Sequence, residues 1–255
     1  MNNQPDHWQQ YVGSVWASLL SRHSLNRSGT LIEVGPGFTD KIGRGLAKLQ
    51  FCGKLYVLEP NKMALEWVER RYQTLLPNAS IIPVNSSVQN ACTLFSGTID
   101  AVLMNHILDD MILHAGLLPD EQQKIFNQAK PGEACLSEVK STWQSLLDDR
   151  EYLSQIKQEV FTCICNLFEH TNARMLGLSQ YKSWFLIQNE LENADLAGNK
   201  LLCDIAGKFR DMVHDDSDIL QSYGQDPRDW LIVKRRNVFE NTETKIEPVL
   251  HTVKN

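Results

Sequence analysis

The chain has 255 residues, 42% hydrophobic and 22% charged, with 14 Gly and 9 Pro. That composition excludes collagen-like, disordered and disulfide-scaffold classes and suits one globular domain with an appended lobe. The net charge is −6, from 25 Lys and Arg against 31 Asp and Glu. The basic residues are scattered, with the tightest cluster at Lys234, Arg235 and Arg236, which argues against tracking along a polynucleotide backbone because that needs a coherent basic stripe.

No apolar run approaches the ~18 residues of a membrane span. The amino terminus shows neither the basic start nor the small-residue cleavage site of a secretory leader. Six cysteines (Cys52, Cys92, Cys135, Cys163, Cys165 and Cys203) lack CxxC spacing and read as reduced thiols of a cytoplasmic protein.

In chain order, residues 7–22 place Trp8, Tyr11, Val12, Val15, Trp16 and Leu19 on one stripe of an amphipathic helix. From Thr30 onward short apolar runs alternate with helical stretches. The runs are LIEV (31–34), KLYVLE (54–59), SIIPV (80–84), IDAVLMN (99–105) and EACLSEV (133–139). Apolar strands without alternation, joined by helices, predict a parallel sheet covered on both faces, an open doubly wound α/β domain. Residues 141–222 read as a helical insertion or lid, with WFLIQ (184–188) as one further candidate strand. DWLIVKRRNVF (229–239) reads as a closing strand, and the polar tail after Glu240 as frayed.

Ligands of such sheets sit outside the carboxyl ends of the strands. The first run ends Glu33-Val34-Gly35-Pro36-Gly37-Phe38-Thr39-Asp40, where two glycines let the backbone turn sharply and approach a ligand. A dinucleotide fingerprint needs a third glycine at position 40, which here is Asp40. Asp40 and Glu33 beside that turn are expected to repel a phosphate and attract a cationic ammonium or sulfonium. No GxxxxGK[ST] loop occurs either. The expected ligand has ribose and adenine and no phosphate. Glu59, followed by Pro60 at the second strand tip, is placed to accept hydrogen bonds from ribose hydroxyls. Asn85, Ser86 and Ser87 follow the third run, where an adenine edge would be read. Asn105 and His106 follow the fourth, where the reacting end would point.

The segment from Leu31 to Val139 resembles the core of class I S-adenosylmethionine-dependent methyltransferases. IEVGPGF is similar to that family's glycine-rich first motif, VLEPN to its ribose-binding acidic end, IDAVLMNHILDDM to its fourth-strand motif and KPGEACLSEV to its Pro-Gly turn and fifth strand. The resemblance implies S-adenosylmethionine as cofactor and a mostly parallel seven-stranded sheet whose last strand is antiparallel. The pattern departs at Thr39, which stands for the third glycine, and at Ser86, which stands for an acidic residue. The absence of [ND]PP[YF] after the fourth strand demotes base-amino methylation.

Methyl transfer mainly requires alignment and exclusion of water; a base is needed only for an acceptor that arrives protonated. His106 is the candidate base, against an ordinary structural role. Asp109, Asp110 and His114 could ligate a metal but read better as a charge cluster at a helix amino terminus. Trp8, Tyr11 and Trp16 form either a flap over the cofactor or core packing, and Cys163-x-Cys165 reads as buried sulfur.

The expected organisation is a cap at 1–29, a cofactor core at 30–140, an acceptor lobe at 141–222, a closing strand at 223–240 and a tail. The expected activity is methyl transfer to a small molecule or protein side chain. The cofactor set is Glu33, Gly35, Pro36, Gly37, Glu59, Pro60, Ser86, Ser87 and Asn105. A degenerate binding module without turnover and an aminopropyl-type transferase are the alternatives on the same fold.

Overall fold

The computed structural model describes residues 4–88, 94–95, 98–127 and 136–235. A first helix, α1 (Gln4–Arg22), precedes β1 (Thr30–Val34), α2 (Lys41–Lys48), β2 (Lys54–Leu58), α3 (Lys62–Leu75), β3 (Ser80–Val84) and β4 (Ala101–Asn105). There follow α4 (Leu108–Ala115), α5 (Pro119–Gln122), α6 (Leu136–Asp148), α7 (Arg150–His170), β5 (Met175–Ser179), α8 (Trp184–Gln188), α9 (Glu192–Lys208), α10 (Ser217–Ser222) and β6 (Trp230–Lys234).

The strands form one sheet in the order β3-β2-β1-β4-β5-β6. The first five are parallel and β6 runs antiparallel to β5, with Ser179 opposite Trp230. The reversal of winding between β1 and β4 makes this a doubly wound α/β fold. The described residues supply six strands where the resemblance implies seven. Among those residues no helix is long and apolar enough to cross a membrane.

Both faces of the sheet are buried, which is why its strands lack alternation. On one face Ile32, Val34, Val102, Met104, Leu176 and Leu178 pack with α4, α6, α7 and α9. On the other, Leu31, Leu55, Val57 and Leu103 pack with α1, α2 and α3. Helices α1 and α2 touch through Gly13 and Gly45; a Cβ on Gly45 would stand 2.9 Å from the Gly13 carbonyl oxygen. This approach lays the amino-terminal helix on that face of the sheet.

Three sequence expectations change. EACLSEV is not the fifth strand: residues 133–135 lie outside the described residues, and 136–139 open α6. A short apolar run fits either element; here Trp143 and Leu146, both buried, continue a helical stripe from Leu136 and Val139. The fifth strand is instead MLGLS, fully buried inside the stretch 141–222 that reads as helical. WFLIQ forms α8 rather than a strand. The closing strand is present as Trp230–Lys234, and 236–239 lie outside the described residues.

Candidate functional site

The registers of β1, β2 and β3 end level with one another, so three loops open at one place. Val34 pairs with Leu58, which pairs with Val84. The Gly35 N–H donates to the Leu58 carbonyl (2.8 Å), and the Glu59 N–H to that of Val84 (3.1 Å). Beyond these ends, at the winding reversal between β1 and β4, lies a cleft of ≈ 830 Å³ counting its open mouth. Its walls include Gly35, Gly37 and Phe38 from the first loop, Glu59, Pro60 and Asn61 from the second, and Ser86, Ser87 and Val88 from the third. Helix α4 closes it with Ile107, Asp110, Met111 and His114. Ile125 and Phe126, in a widened helical turn after α5, form its apolar end.

The glycine turn is shaped by its neighbours. Gly35 and Gly37 both have left-handed backbone, with φ of 60° and 57°, a region open to glycine without cost. A Cβ on Gly35 would stand 1.9 Å from Ile107 Cδ1, whereas one on Gly37 would enter open space. Gly35 therefore seats the turn against α4, and Gly37 leaves room at the cleft wall.

Glu59 is buried and holds the turn to the second loop. Its Oε2 accepts from the Gly37 N–H and its Oε1 from the Asn61 N–H, both at 2.9 Å. Burial raises its carboxyl above the ordinary range and these two donors pull it back. Each oxygen keeps a second lone pair, so hydroxyl groups in the cleft could still be accepted. Asn61 caps α3 by accepting from Met63 and Ala64 N–H groups. Its Nδ2 donates to the Phe126 carbonyl at 2.7 Å, tying the apolar wall to the second loop. Asn85 donates to the Glu59 and Pro60 carbonyls, a latch between loops.

The expectation that Glu33 and Asp40 charge the turn is corrected by their surroundings. Glu33 alternates with Ile32 and Val34 along β1, so it faces α2 and α3 rather than the cleft. There it accepts from the Tyr72 hydroxyl at 3.0 Å, its Oε2 has no partner, and burial pushes its carboxyl up to about 8. At neutral pH it is mostly uncharged. Asp40 is buried between Arg44 and Arg71, each 2.6 Å away, which cancel its charge. The carboxylates bordering the cleft are Glu59 and Asp110. Asp110 is exposed to the cleft, where desolvation and the neighbouring Asp109 and Glu59 carboxylates raise its carboxyl well above the usual range.

Of the residues expected from sequence, Gly35, Gly37, Glu59, Pro60, Ser86 and Ser87 border one cleft. Pro36 is in the same turn but not in the wall. Asn105 and His106 lie to the side. Asn105 Oδ1 accepts from Trp16 Nε1 (2.9 Å) and Ser179 Oγ (3.2 Å), and its Nδ2 donates to the Tyr181 hydroxyl (3.1 Å). Its amide is consumed in joining α1 to the sheet.

His106 has a strained φ of 51° and packs against Tyr181 with ring centres 4.8 Å apart. Its Nδ1 is 3.9 Å from Asp109 Oδ1, and its buried Nε2 has no partner. Tyr181 also meets Trp8 and Trp230, so Trp8 and Tyr11 belong to an aromatic cluster over this side, while Trp16 is core.

The four-residue spacing of Asp110 and His114 marks a shared helix face in the sequence, but not that this face of α4 borders the cleft. Burial lowers the His114 imidazole, whose ring stands 5.2 Å from Phe126. Nothing in the sequence marks Phe126 itself.

No family model and no curated protein matches the sequence. Among solved structures, the methyltransferase domain of bacterial CtHen1-CN shares 14% identity over 89% of this chain and 98% of its own, with a TM-score of 0.46. A Clostridium thermocellum protein assigned as an rRNA methylase shares 12% over 91% and 96%, with a TM-score of 0.42. The plantazolicin methyltransferase BpumL, solved with SAH and a desmethyl substrate analogue, shares 12% over 89% and 84%, with a TM-score of 0.35. These are remote likenesses of architecture, and the chemistry rests on this chain's own side chains.

Proposed function

We propose that the chain is an S-adenosylmethionine-dependent methyltransferase, with the cofactor in the cleft between the β1–β3 loops and α4. One observation carries this reading: an open glycine turn is hydrogen-bonded directly to a buried carboxylate at the next strand tip, Gly37 to Glu59 at 2.9 Å. That arrangement presents acceptors to ribose hydroxyls in a cleft bordered by carboxylates, where a pyrophosphate would be repelled. Ser86, Ser87, Val88, Ile125 and Phe126 suit an adenine.

S-adenosylmethionine, when bound, supplies an activated methyl group on a cationic sulfur. What the chain's residues must then do is bind, orient and exclude water. Gly35 and Gly37 set the floor, Glu59 fixes the ribose, and the segment carrying Ile125 and Phe126 shields the nucleoside. In this proposal the acceptor, a small molecule or a protein side chain, approaches from the side of Tyr181. His106 takes a proton where the acceptor arrives protonated. Its strained backbone and unpartnered Nε2 support that role, since both are unfavourable and such features gather at functional sites.

Calorimetric titration with S-adenosylmethionine, S-adenosylhomocysteine, NAD and ATP tests the reading. Heat with the two adenosyl compounds and none with the phosphorylated ligands is expected. Binding of NAD or ATP alone overturns it.

A further inference from the structure

Two buried carboxylates beside His106 are left over from the proposed reaction. Asp109, in the first turn of α4, and Asp195, in the first turn of α9, are 4% and 7% exposed. A carboxylate taken out of water needs partners, and the first of these is held by Gln180, which has no exposed surface. Gln180 Nε2 donates to Asp109 Oδ1 at 2.9 Å, its Oε1 accepts from the Leu108 N–H at 3.0 Å, and its own N–H donates to the Asp229 carbonyl at 2.8 Å. Helix α9 crosses this amide at Gly198, where a Cβ would stand 2.9 Å from Gln180 Cδ and Nε2. Gln180 is thus fixed from several sides, and it fixes Asp109 in turn. To Asp109 the imidazole of His106 presents Nδ1, 3.9 Å from Oδ1, while its buried Nε2 has no partner. That separation is an ion-pair contact longer than a hydrogen bond, of the kind that tightens in the working complex. Asp195 is within electrostatic reach of His106 but makes no hydrogen bond or ion pair with it.

We infer that Asp109 is a positioning residue for His106: it keeps a proton on Nδ1, so that Nε2 carries the lone pair that takes the acceptor's proton. This rests on the base role proposed above for His106 and adds the residue that orients it. Which ring nitrogen of a histidine is protonated is set by the hydrogen bond the other groups offer it, and a buried aspartate behind the ring selects the tautomer without taking the proton itself. One proton is gained at Nε2, and the proton on Nδ1 stays where Asp109 holds it.

Nitrogen-15 NMR of the full chain labelled at histidine, without ligand and at alkaline pH where the ring is neutral, reads the tautomer; His106→Gln identifies the signals. Wild-type His106 is expected mainly as the Nδ1–H form. Asp109→Ala is expected to move the ratio of the two tautomers at least about fivefold toward Nε2–H, the equivalent of one net hydrogen bond. Asp195→Asn, which removes the other buried carboxylate, is expected to leave the ratio within about twofold. A wild type protonated on Nε2 overturns the inference with no variant needed. So does an unmoved ratio in Asp109→Ala, or an equal shift in both variants. A protein that fails here yet binds S-adenosylhomocysteine in the calorimetric titrations keeps its cofactor site and loses only the role given to Asp109. One that passes here and binds neither adenosyl compound loses the cofactor reading instead.

Discussion

The carboxyl edge of the sheet has two halves that use polar groups in opposite ways. Over β1, β2 and β3, backbone and carboxylate groups are tied to one another yet keep lone pairs and space toward the cleft, as in the Gly37–Glu59–Asn61 chain. Over β4 and β5, Asn105, Ser179, Gln180 and Tyr181 spend their polar atoms on internal contacts that dock α1 and α4. The first half keeps acceptors and space toward the cleft, as the proposed cofactor site requires. The second spends its polar groups on packing, and among the described residues there His106 is strained and unsatisfied. Position at a strand tip therefore does not by itself make a residue a ligand contact; what its hydrogen bonds are already doing decides.

The largest break in this comparison comes from Gly35→Val. It combines a left-handed backbone with a Cβ 1.9 Å from Ile107 Cδ1, and an expected cost of about 3–5 kcal/mol in urea unfolding follows. Gly37→Ala, with similar φ but open space, is expected to cost about 1 kcal/mol and to lower adenosyl-ligand affinity. Equal costs would show that the turn is not seated on α4.

Glu33 tests the reverse face of the same half through pH. Its folded carboxyl is raised to about 8 from its ordinary value of 4.5, so the folded chain binds this proton more tightly than the unfolded one. The sign is fixed: this group's contribution is complete below about pH 4.5, is lost as pH rises toward 8, and is constant above that. The loss across the whole window is on the order of 5 kcal/mol. Wild type and Glu33→Gln unfolding measured at pH 5, 6.5 and 8 should diverge across that window, the variant gaining relative stability at pH 8. Parallel profiles would mean that Glu33 is solvated or ionised in the fold.

Much of the fold was legible, and the misses have physical causes. Strands β1 to β4 and β6 showed as apolar runs because both faces of the sheet are covered. MLGLS escaped because a glycine interrupts its apolar run and it directly follows a 21-residue helix in a stretch that reads as helical. Gly177 is needed there, since a Cβ would come 3.0 Å from both Leu103 and Trp16. For the site, the glycine turn and Glu59 could be read from their place after strands. Glu33 was misjudged by counting charge without applying the two-residue alternation that Ile32 and Val34 already displayed. Arg44, four residues after Asp40, was a readable partner; Arg71, which completes the neutralisation, comes from another helix and was not.

Glu59→Gln sharpens the receptive half. Gln offers one acceptor where two are used, so either the Gly37 or the Asn61 N–H loses its partner and a ribose hydroxyl meets an amide donor. Affinity for S-adenosylhomocysteine is expected to fall by about 1.5–3 kcal/mol in calorimetry. Unchanged affinity would remove Glu59 from the ligand's contacts.

Asn105→Ala makes the complementary test on the rigid half. Its amide oxygen is the acceptor for Trp16 Nε1, in a side chain with no exposed surface, and for the buried Ser179 hydroxyl. Removing it leaves two buried donors without that acceptor, at an expected cost of about 1–2 kcal/mol in unfolding. Because the amide is consumed away from the cleft, S-adenosylhomocysteine affinity should stay within about twofold of wild type, against the expectation from its place after β4. A tenfold loss of affinity with unaltered stability would reverse the assignment and make the two halves of the sheet edge one continuous ligand surface.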